Sequence, residues 1–79
     1  MDVQTIKYII DLIAEELGIE ESGVNERSRL SADLNVNSLE LLNVVMAIEE
    51  DREITFEEDR LKKMKTVGDI ANYVDELSV

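Results

Sequence analysis

Across 79 residues the chain has no proline and only three glycines, Gly18, Gly23 and Gly68, so very little in it interrupts a helix. From about Asp2 to Leu17, the apolar residues Ile6, Ile9, Ile10, Ile13 and Leu17 recur at steps of three and four. That spacing draws one stripe down a helix. Gly18 follows where a left-handed C-cap ends such a helix. Residues 19 to 36 have no sustained period and read as a long loop, pinned to the core by Ile19, Val24, Leu30 and Leu34.

A second helix is expected over about 38 to 51. Leu39, Leu42 and Met46 lie on one line and Leu41, Val45 and Ile48 on an adjacent one, a wide apolar face for a central element. Val44 falls off both lines, and the spacing leaves open a contact with a loop or a place beside a ligand channel or partner. Ile54 and Phe56 alternate with polar residues but are too few to build a sheet, so they read as loop anchors before a short helix near Glu57 to Lys62. A last helix starts at Thr66, with Asp69 as capping-box partner and Val67, Ile70, Val74 and Leu77 as its stripe. The expected fold is all-α and a single domain over residues 1–79. It has four helices, three main and one short, with a long loop between the first two.

Composition removes several functions. The chain has no cysteine, hence no disulfide or thiolate metal site, and no histidine, the commonest general base and metal ligand. An enzyme is not expected. No apolar span is long enough for a membrane and the first residues do not form a signal peptide, so a cytoplasmic location is expected. The net charge is −11. Residues 31 to 59 carry nine acids against the single base Arg52. Such a surface repels nucleic acid and anionic lipid and attracts basic proteins, although it also serves simply as a solubilising face. The run Arg60-Leu61-Lys62-Lys63-Met64-Lys65 holds four of the eight bases. It reads either as a small anion patch or as a counterweight to the neighbouring acids.

One short stretch carries chemistry. In Asn37-Ser38-Leu39-Glu40, Asn37 reads as an N-cap with Glu40 as its capping-box partner, which makes Ser38 the first helical residue. Its hydroxyl would stand in solvent beside the positive end of the helix, where a phosphate-bearing group is favoured. Nucleophilic catalysis by Ser38 is not expected, because no histidine can activate it. Asp33, Asn35 and Asn37 match the first three ligand positions of a calcium-binding EF-hand loop. The pattern then fails at Ser38 and Val44, where glycine and a bidentate glutamate are required, so no metal site is expected.

The ordered set of features resembles the acyl carrier proteins and their peptidyl carrier relatives. It comprises Leu17-Gly18, the long loop, Asp33-Leu34, Ser38-Leu39-Glu40, Val45-Met46-Ala47-Ile48-Glu49-Glu50, Ile54, Phe56 and Met64-Lys65-Thr66-Val67-Gly68-Asp69-Ile70. The resemblance implies a four-helix bundle of acyl-carrier type, with Ser38 as the attachment site of 4'-phosphopantetheine taken from coenzyme A. It implies acyl chains carried as thioesters for fatty-acid, polyketide or related biosynthesis. The implied partners are a phosphopantetheinyl transferase and acyl-loading, ketosynthase or acyltransferase-type enzymes with basic docking patches. A monomer is expected, with no role for nucleic acid or membrane. Asn37, Leu39, Glu40, Val44, Met46, Glu49 and Glu50 are the expected partner-recognition residues.

The chain departs from the family pattern at four positions. Asn37 stands where the family usually has aspartate, Asn35 where glycine is common, Asn43 where an acid is common and Arg52 where an aromatic is common. These departures point to a specialised carrier; a start at Met1 favours a discrete one, although a domain expressed from a larger synthase could also begin with an added Met. The alternative is a small acidic interaction module that keeps the fold without an arm.

Overall fold

The computed structural model describes residues 2–78 and contains four α-helices: α1 Val3–Leu17, α2 Ser38–Arg52, α3 Glu58–Leu61 and α4 Val67–Leu77. A single 3-10 turn, Glu21–Gly23, interrupts the loop between α1 and α2. Among the described residues there is no strand; one isolated bridge joins Arg29 to Thr66. The all-α bundle expected from sequence is therefore the observed architecture.

Local chemistry sets the helix ends. The Asp2 side chain accepts the Gln4 N–H and opens α1, and Gly18 closes it in the left-handed region (φ 68°). That reversal throws Ile19 outward, so Ile19 is exposed and does not pin the loop, contrary to the sequence expectation. Both capping boxes form, Asn37 with Glu40 at α2 and Thr66 with Asp69 at α4.

The core is aliphatic, built by Ile9 and Ile13 of α1, Val44, Val45 and Ile48 of α2, and Val67, Ile70, Ala71 and Val74 of α4. Phe56 meets Tyr73 edge to face at 5.0 Å and seals one end of it. Two features of α2 differ from the sequence expectation. The line Leu39, Leu42, Met46 faces solvent, with exposures of 66%, 47% and 55%. Val44, which lay off both apolar lines, is only 4% exposed and sits in the core. The physical reason is geometric: α2 is apolar on most of its circumference, and the side turned to α1 and the shared core is the one carrying Val44, Val45 and Ile48, with Leu41 packed at its border.

The long loop is stitched to the start of α4. Leu30 N–H donates to the Lys65 carbonyl at 2.8 Å, Val67 N–H to Ser28 at 3.1 Å and Gly68 N–H to Glu26 at 2.8 Å. Val24 and Leu30 are buried and Leu34 is half-buried beneath it. Val36 N–H then returns to the Leu30 carbonyl at 2.8 Å, and Asn35 takes φ 56° to make that turn. A left-handed conformation favours glycine and, after it, asparagine, which accounts for the residue found there. The loop thus delivers the chain to residue 38 along a fixed path.

Candidate functional site: the start of helix α2

Ser38 is exposed and is the first residue of α2. Capping is done by its neighbour: Asn37 Oδ1 accepts the Glu40 N–H at 2.8 Å, and Glu40 Oε1 accepts the Asn37 N–H at 3.0 Å. The Ser38 hydroxyl is thereby left out of the capping box, at a helix end whose remaining free N–H groups give a positive potential. The other hydroxyls differ. Thr5 and Ser28 are buried and bonded, Thr66 caps α4, and Ser78 Oγ donates to the Val74 carbonyl at 2.7 Å. Ser22, Ser31 and Thr55 are exposed but start no α-helix.

Ser38 stands on the wall of a cleft of about 460 Å³ between the loop and the α3–α4 connection. Its apolar lining is Leu30, Ala32, Val36, Leu41 and Met64; its cations are Arg29, Lys62 and Lys65. The basic run 60–65 is therefore divided. Arg60 turns away, pairing with Glu76 at 2.9 Å and lying 4.4 Å above the Tyr73 ring, and Lys63 lines a different groove with it. Arg29 holds Asp33 through two side-chain hydrogen bonds, which keep the Asp33 carboxyl below its usual range. That carboxylate and the Asn37 oxygen are thus already used, at two of the three positions that match a calcium loop.

The expected recognition residues separate into three groups. Leu39, Met46 and Glu50 are exposed and, at spacings of seven and four, share the outward line of α2 with Leu42 alongside. Glu40 and Glu49 are half-buried and engaged: Glu40 in the capping box, Glu49 through an oxygen that accepts the Phe56 N–H at 2.8 Å. Val44 is a correction. Its side chain is enclosed by the core, so it offers a partner no surface. Leu42 was overlooked as a surface residue because its spacing matches a buried stripe.

Two departures noted in the sequence have structural partners. Asn43 Nδ2 donates to Glu16 Oε2 at 3.0 Å across the α1–α2 interface, where an acid would face an acid. Arg52 lies 4.1 Å above the Tyr8 ring, and Tyr8 donates to Asp51 at 2.7 Å. A cation over an aromatic face thus covers that edge of the helix pair.

A family profile described as phosphopantetheine attachment site matches residues 7–74. The chain is 38% identical over 72 residues to an acyl carrier protein of Exiguobacterium sibiricum, covering 91% of each chain. It is 38% identical to an acyl carrier protein of Chlamydia felis, over 80% of this chain and 81% of that one. It is 39% identical to one of Thermotoga maritima, over 81% of this chain and 79% of the relative. With the helical bundle and the capped, serine-first helix at its centre, the chain belongs to the acyl carrier protein family.

Proposed function

We propose that Ser38 Oγ is the attachment point of the 4'-phosphopantetheine arm. The observation that carries this reading is the exposed hydroxyl at the first position of α2, left unspent by a cap that Asn37 supplies. A phosphodiester fits there, because the uncapped N–H groups of the first turn favour negative charge. In loading, Ser38 Oγ forms a bond to the phosphorus of coenzyme A that bears the pantetheine. The bond from that phosphorus to adenosine 3',5'-bisphosphate breaks, and the serine proton passes to a base on the transferase, since this chain has no histidine to take it. The arm's thiol carries the acyl group as a thioester, and the chain is a carrier and substrate for other enzymes.

The partner surface in this reading is the outward line of α2: Leu39, Leu42, Met46 and Glu50, with Asn37 and the partly engaged Glu40 and Glu49 at its borders. Apolar contact at its centre and acids at its rim match enzymes with an apolar depression ringed by Arg and Lys. Biosynthetic enzymes of that kind, with the transferase, are the partners assigned. The location assigned is the cytoplasm; among the described residues no helix is long and apolar enough to cross a membrane.

Intact mass after incubation with coenzyme A, magnesium and a phosphopantetheinyl transferase tests the reading. The parent chain gains one arm, and Ser38→Ala, folded by circular dichroism, gains none. An arm on Ser38→Ala overturns the site. A parent chain that stays unmodified favours an interaction module without an arm.

A further inference from the structure

The cleft beside Ser38 has a charge opposite to that of the chain. In a protein with nineteen acids and eight bases, three bases line this cleft and, among the described residues, no Asp or Glu does. The three cations are not equally available. Arg29 is held by Asp33 at 3.1 Å. Lys62 lies 3.9 Å from Glu58, with both side chains largely in solvent, so that pair is weak. Lys65 makes no ion pair among the described residues. Its backbone, however, is fixed on both sides: its N–H donates to Asp69 at 2.8 Å and its carbonyl accepts from Leu30 at 2.8 Å. The Lys62 N–H donates to the Glu58 carbonyl at 3.1 Å, so both lysines stand on a bonded backbone and border an apolar floor that includes Leu30, Val36, Leu41 and Met64.

The occupant that suits such a cleft has an anion at one end and a branched apolar segment next to it, and must reach it from Ser38. The proximal part of the arm has that order of groups: a phosphodiester at the serine oxygen, then the carbon bearing two methyls. At about 460 Å³ the cleft lies within the range of small-ligand sites. Resting on the carrier reading above, we propose that Lys62 and Lys65 hold the phosphodiester of the Ser38-linked arm while Val36, Leu41 and Met64 receive its dimethyl segment. The arm then leaves the serine along the cleft and does not swing freely from the helix end. The two lysines also lower the repulsion that an acidic chain presents to an anionic group placed on it.

The test compares apo and loaded protein by amide and phosphorus NMR, with loading scored first by intact mass. In the parent, loading shifts the Met64 and Lys65 amides as well as those of residues 36 to 40. The Met64 and Lys65 shifts fall by at least about half when salt is raised to about 0.5 M, where the screening length is under about 5 Å. In Lys62→Gln/Lys65→Gln the same two shifts are lost and the phosphorus resonance moves. Lys62→Arg/Lys65→Arg restores them, and Lys63→Gln, which removes a charge outside the cleft, leaves them as in the parent. A parent that loads but shifts only residues 36 to 40, with one phosphorus resonance position in all variants, overturns the cleft's role alone. A parent that never gains the arm overturns the carrier reading, and the cleft's role with it.

Discussion

Replacing Asn37 separates folding from recognition at the start of α2. In Asn37→Ala the acceptor for the Glu40 N–H, now at 2.8 Å, is removed, and the reciprocal bond from the Asn37 N–H at 3.0 Å loses its fixed geometry. An N-cap deletion costs about 1 kcal/mol. For 79 residues the unfolding entropy is about 170 cal/mol/K, so that loss lowers Tm by about 6 °C. Asn37→Asp keeps the acceptor. The new charge gains about 0.3–1 kcal/mol from the helix end and loses a similar amount against the adjacent Glu40 carboxylate, so Tm moves by under about 3 °C. Loading responds in the opposite pattern. An added charge on a face met by basic side chains raises the loading rate about two- to fivefold at low salt, and the gain disappears near about 0.5 M. The assays are thermal unfolding by circular dichroism and initial loading rates by mass across a salt series. An unchanged Tm in Asn37→Ala would refute the capping argument. If Asn37→Asp loads at the parent rate while Glu50→Gln slows loading, position 37 lies outside the recognition surface.

Glu53 ends α2 with φ 54°, so Glu53→Gly removes both left-handed strain and an acid from a helix C-terminus and raises Tm by about 3–6 °C, whereas Glu53→Val lowers it. A lower Tm in Glu53→Gly would contradict this account. Asn43→Asp sets a carboxylate against Glu16 in place of a 3.0 Å hydrogen bond and lowers stability by about 1 kcal/mol at neutral pH; chemical denaturation should show the loss shrinking with salt. Burial first, and then the hydrogen bond to Asp51, push the Tyr8 hydroxyl up to about 12. Its neutral form therefore contributes stability that is complete below about pH 10 and is lost as pH rises from there toward 12. The ultraviolet titration signal missing in Tyr8→Phe should be centred near that value, and a difference centred near 10 would disprove the effect.

The helix ends were the most legible part of the sequence, because each depends on a side chain and its near neighbours: Gly18, Asn37 with Glu40, and Thr66 with Asp69. Ser38 was legible for the same reason. The outward side of α2 was not. Leu39, Leu42 and Met46 have the spacing of a core stripe, and only the packing of α1 and the shared core against the opposite side leaves them in solvent. Val44 was misplaced by the same ambiguity. The basic run 60–65 could not be divided from sequence, since its partners, Glu76 and the loop around Leu30, lie far along the chain. The Glu49 bond to the Phe56 backbone was also hidden, because a backbone donor leaves no mark on composition.

The bonds from Leu30 to Lys65 and from Gly68 to Glu26 join segments more than thirty residues apart. A peptide covering residues 30 to 52 would contain the whole Asn-Ser-Leu-Glu motif and most of the outward face of α2. It would have neither the cleft nor a fixed approach to the serine, and a lone helix of that length is marginal in water. Closing those long loops is an entropic cost that only the assembled core offsets. The surroundings of Ser38 are thus a property of the completed tertiary structure, and an enzyme that reads that geometry distinguishes folded chains from unfolded ones bearing the same four residues.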